Sequence, residues 1–135
     1  MRVVFDANVV FAGAGWRGEA HSCLVMLAHR RVIAFATDDL LKELRCLAHE
    51  RGFKARHSPD TILKWYYSTV KMVEPAPLGK QRSRDAKDDP YLACALAAGA
   101  KTVVSRDEDL LSLGKPFGIE IVTPRELLTR LSRGI

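Results

Sequence analysis

At 135 residues the chain is long enough to bury a core without disulfide or metal staples. Its composition, 47% hydrophobic and 27% charged, excludes a disordered chain, and no apolar run approaches the ~20 residues of a membrane helix. A net charge of +5 and a pI of about 9.3 favour a polyanionic partner, although an acidic protein would fit them as well as a nucleic acid.

The first β-type run, residues 3–5, is closed at once by Asp6. That aspartate interrupts the opening apolar stretch, so the N-terminus lacks a signal-peptide layout and the expected location is the cytoplasm. Next comes Gly13-Ala14-Gly15-Trp16-Arg17-Gly18, which satisfies Gly-x-Gly-x-x-Gly, with Asp38 20 residues beyond Gly18. This spelling fits a Rossmann-type dinucleotide domain. It would need residues 9–12 as its strand, leaves the run at 3–5 unexplained, and puts bulky Trp16 and Arg17 where a pyrophosphate would approach. The glycines are better taken as a mobile loop beside the site, with Trp16 as a candidate for its border.

A second β-type run at 32–35 leads into residues 37–50, where Leu40, Leu44, Leu47 and Ala48 form the stripe of an amphipathic helix. Glu43 lies at the edge of that stripe, held near the protein body. Ser58-Pro59 signals another helix start, followed by Trp65-Tyr66-Tyr67, better suited to core or dimer packing than to stacking on bases. After a third β-type run at 70–73, residues 75–87 form a loop rich in Pro, Gly and basic residues. Its Lys80, Arg82, Arg84 and Lys87 run into Asp85, Asp88 and Asp89 and are candidates to contact phosphates.

The following helix is expected to pack by Leu92, Ala95, Leu96 and Gly99. At about 100° per residue Asp88 lies on nearly the same line, with Asp89 rotated outward, so Asp88 is preferred as the site residue. The fourth run, 102–104, leads into Ser105-Arg106-Asp107-Glu108, another helix-start signal. The fifth, 119–122, is followed by Thr123-Pro124-Arg125-Glu126: cap, first-position proline and capping-box glutamate in order. Three cysteines, Cys23, Cys46 and Cys94, are an odd and widely spaced set, best taken as buried reduced thiols.

Strands alternating with helical segments predict one α/β domain over residues 1–135, with a parallel, roughly five-stranded sheet covered on both faces, a three-layer α/β/α sandwich. In such a sheet functional groups gather beyond the carboxyl ends of the strands. Asp6 and Asp107 fall there, Asp88 opens a helix, and Glu43 is the fourth candidate. Singly, each acid has a plain structural use as a turn, a cap or a solvated side chain. Jointly, they suit Mg²⁺ or Mn²⁺, which prefer oxygen ligands, and a bound metal could orient a phosphodiester and activate water.

As an ordered set these stretches resemble the PIN domain family over nearly the whole chain. Asp6-Ala7-Asn8-Val9 is similar to the opening motif and Leu40-Leu41-Lys42-Glu43-Leu44 to the helical Leu-x-Glu-Leu motif. The stretches from Arg84 to Ala93 and from Val104 to Leu111 resemble the third and fourth motifs, and Ile121 to Glu126 the ending of a VapC-like toxin subgroup. The resemblance implies a Mg²⁺- or Mn²⁺-dependent ribonuclease with Asp6, Glu43, Asp88 and Asp107 as its acidic quartet. It implies support from Asn8 and Ser105, with Asp109 a further acid near the metal. It also implies a homodimer restrained by a small antitoxin. Ser105 and Thr37 stand where the family more often has threonine and serine, and both keep the hydroxyl. The adjacent Asp88 and Asp89 leave the third acid open, and a non-catalytic PIN-like module for binding RNA or protein is the main alternative.

Overall fold

The computed structural model describes residues 1–79 and 89–133. Five parallel strands, β1 (Arg2–Phe5), β2 (Ile33–Ala36), β3 (Lys71–Met72), β4 (Thr102–Val104) and β5 (Glu120–Val122), form one sheet in the order β3-β2-β1-β4-β5. The helices are α1 (Ala7–Gly15), α2 (Glu19–Ala28), α3 (Asp38–Arg51), α4 (Asp60–Thr69), α5 (Asp89–Ala98), α6 (Glu108–Leu111) and α7 (Pro124–Ser132). They cover the sheet in the expected three-layer α/β/α arrangement, and all five β-type runs are strands. Helix α5 packs across β1, β2 and β4, while α1 packs on α2, α3 and α4.

Val3, Val4, Val103 and Val104 are fully buried, as expected of central strands covered on both faces. In register, Phe5 pairs with Val104, and Val104 with Val122. The first residues past the ends of β2, β1, β4 and β5, namely Thr37, Asp6, Ser105 and Thr123, therefore cross the carboxyl rim as a polar row. Among the described residues no helix is long and apolar enough to cross a membrane.

Several expectations are corrected. Gly13 and Gly15, expected in a loop, are buried inside α1, and residues 9–12 are helical, so the strand that the dinucleotide alternative would have needed is not formed. A Cβ on Gly13 would lie 2.8 Å from the Ala20 carbonyl oxygen, and one on Gly15 2.7 Å from the Ala55 Cβ. These glycines permit close approach of neighbouring chain and cradle no pyrophosphate. Trp16 follows the end of α1, nine residues or roughly 13 Å along the axis from its start, and packs edge-to-face on Phe11. Ser58 makes no cap, since α4 starts after Pro59 without a side-chain hydrogen bond. Helix α5 stops at Ala98; exposed Gly99, at φ +63°, supplies the left-handed residue that ends it. Cys23 and Cys94 are buried reduced thiols, Cys23 pushed up to about 12 chiefly by burial, but Cys46 is exposed on α3. Of the aromatic trio, Tyr66 is core, and Tyr67 sits under the Arg45 guanidinium, 5.0 Å from its ring.

Candidate active site

Asp6 ends β1 and begins α1. Its amide donates to Val104 on the neighbouring strand at 2.9 Å, and its Oδ1 caps the helix by accepting from the Asn8 amide at 3.0 Å. The Asn8 side-chain nitrogen reaches the same oxygen at 3.5 Å. Ser105, fully buried, donates its hydroxyl to Asp6 Oδ2 at 2.7 Å and accepts from the Asp107 amide at 2.9 Å. Asp107 caps α6 in turn, its Oδ1 accepting from the Asp109 amide at 2.9 Å. One serine hydroxyl thus ties the acids of β1 and β4 together, and both emerge at the same rim.

Glu43 arrives from α3. Its Oε2 accepts a 2.8 Å hydrogen bond from the hydroxyl of Tyr91, which itself accepts from the Ala7 amide at 3.2 Å. Tyr91 is only 1% exposed. Burial first, then the charges of Asp6 and Glu43, push its phenol well above the ordinary value of 10, so it remains a proton donor. Asp6, Glu43 and Asp107, three of the four predicted acids, therefore belong to one hydrogen-bonded chain running from Glu43 through Tyr91, the start of α1 and Ser105 to Asp107.

A cleft of about 280 Å³ opens here, lined by Asp6, Asn8, Val9, Arg106 and Asp107. Asp6 is 3% exposed, and among the described residues no cationic side chain forms an ion pair with it. Buried carboxylates are ordinarily paired with a cation or coordinate a metal. The donors at this rim are all oxygens, the set that suits Mg²⁺ or Mn²⁺. Among the described residues, however, no group of three His, Cys, Asp or Glu side chains is placed to hold a metal ion. Asp85, Asp88, Lys80, Arg82, Arg84 and Lys87 lie outside the described residues. Asp89 is described, half-buried as the first residue of α5 and two positions before Tyr91.

Two residues with a place here escape sequence reasoning. Arg106 was legible only as a basic residue between Ser105 and Asp107, and Tyr91 only as a member of the stretch from Arg84 to Ala93. Neither spacing says which acid its side chain will meet.

The model of the PIN domain matches residues 2–109, and the chain belongs to that family, whose members are generally nucleases. Among solved structures, it is similar to PAE2754 from Pyrobaculum aerophilum at 22% identity and a TM-score of 0.68, covering 98% of this chain and 90% of that one. It is similar also to VapBC2 from Rickettsia felis bound to a DNA fragment from their promoter, at 14% identity and a TM-score of 0.64, covering 91% and 98%. No curated protein sequence matches it.

Proposed function

We propose that this chain is a Mg²⁺- or Mn²⁺-dependent endoribonuclease, one PIN domain over residues 1–135, acting as the VapC-like toxin of a toxin–antitoxin pair. The observation that carries the reading is the nearly buried Asp6 carboxylate, tied through Ser105 to Asp107 and lacking a cationic partner among the described residues. Asp6 and Asp107 would hold the ion, with Glu43, Asp109 and either Asp88 or Asp89 completing the acidic set that the family resemblance implies. When bound, the metal supplies positive charge for the phosphodiester and a more acidic water.

The chain's own groups do the rest. Ser105 and the Asn8 amide fix the Asp6 carboxylate by holding one oxygen each. Arg106, which lines the cleft, is a candidate to meet a substrate phosphate, as are Lys80, Arg82, Arg84 and Lys87. The +5 net charge suits a polyanionic substrate, and the fold shared with VapBC2 supports a small antitoxin partner; a homodimer in the cytoplasm belongs to the same proposed reading.

A second reading, a non-catalytic module that binds RNA or protein, draws on the lack of a three-acid metal group among the described residues. Cleavage of single-stranded RNA with Mg²⁺ or Mn²⁺ separates the two. Cutting that stops with EDTA and in Asp6→Asn is the expected result. Cutting that persists in both controls points to a contaminant, and RNA binding without cutting favours the module.

A further inference from the structure

The hydroxyl of Tyr91 is a polar atom sunk in the core, where a phenylalanine would fill the same space without a desolvation cost. Its two partners are not incidental. It accepts from the amide of Ala7, the residue directly after Asp6, and donates its one proton to Oε2 of Glu43. Glu43 itself sits at an exposed position of α3, on a long side chain whose carboxylate costs conformational entropy to hold in one place. The two bonds lock that carboxylate to the start of α1, the same backbone turn that presents Asp6.

We propose that Tyr91 is a positioning residue of the metal centre, fixing Glu43 relative to Asp6 by a hydrogen bond anchored on the Ala7 amide. The inference rests on the metal-dependent reading above and gives a role to a residue outside the acid set. Groups that orient metal ligands typically change affinity about 10- to 100-fold when removed.

The test is Mn²⁺ affinity of the full chain by titration calorimetry, for wild type, Tyr91→Phe, Glu43→Gln and the double variant, with metal-free thermal melts alongside. Tyr91→Phe is expected to weaken Mn²⁺ about 10-fold, and to change nothing further once Glu43 is already Gln, since coupled residues are not additive. Wild-type affinity in Tyr91→Phe, or an undiminished loss in the Glu43→Gln background, would overturn the proposal. Should Tyr91→Phe not fold, the near-ultraviolet tyrosine signal on adding Mg²⁺ carries the test. A change that disappears in Glu43→Gln supports the link, and no change overturns it. No Mn²⁺ binding by the wild-type chain would overturn the metal-dependent reading as well, whereas unchanged binding by Tyr91→Phe removes only the role of Tyr91.

Discussion

Four helices start just past the carboxyl ends of strands, and the two central strands cap theirs differently from the two that flank them. On β1 and β4 the caps are Asp6 and Asp107; on β2 and β5 they are Thr37 and Thr123. The outer hydroxyls do the local work adequately, Thr37 accepting from the Leu40 amide at 3.3 Å and Thr123 from the Glu126 amide at 3.2 Å. A hydroxyl and a carboxylate are comparable caps, so capping gives no reason for two carboxylates side by side, where like charges repel.

The outer acid is also treated differently. Glu120 on β5 meets Arg130 and, at 3.6 Å, Lys115 at the surface. Asp6 has hydrogen-bond donors but, among the described residues, no cation. The central rim holds negative charge beyond what folding asks of it.

The largest effect should come from neutralising the inner caps. Asp6→Asn and Asp107→Asn keep a cap acceptor but lose the charge, so metal-dependent RNA cleavage should fall by at least about 100-fold, the upper end for losing a mere supporting group around a metal. Melting in EDTA should hold or rise as repulsion is relieved. A cleavage rate within a few-fold of wild type would erase the distinction between inner and outer caps.

An outer cap should behave the opposite way. Thr123→Ala should cost about 1 kcal/mol in urea unfolding and leave the cleavage rate intact. A large loss of activity there would mean that charge and position at the rim do not separate.

The smallest effect concerns Glu120. Its hydrogen bond to Arg130, then the charges of Arg130 and Lys115, hold its carboxyl below the ordinary 4.5. The stabilisation is therefore present above that value and lost as pH falls through the lower folded one. Being largely solvent-screened, it should amount to less than about 1 kcal/mol. The stability gap between wild type and Glu120→Gln should accordingly close on acidification and shrink at high salt. A gap that widens in acid would show that the pair does not set the titration.

Local chemistry made much of this legible in the amino-acid sequence alone. Short β-branched runs between helical stretches predict the five strands. Thr123-Pro124-Arg125-Glu126 predicts α7, and the leucine stripe after Thr37 predicts α3, because caps and periodicity are read within a turn or two of chain. What spacing could not decide was whether Gly13 and Gly15 form a loop or a helix, since both satisfy the same pattern. The answer depends on how closely Ala20 and Ala55 approach.

Nor could it assign Tyr91 to Glu43, 48 residues away, or Ser105 to Asp6, 99 residues away. Those meetings follow from β4 lying next to β1 in register and from α5 crossing beneath both. Residue type and neighbouring propensity therefore determined the elements and named the acids. Strand order and register, set by packing between segments distant along the chain, decided which of them share a pocket.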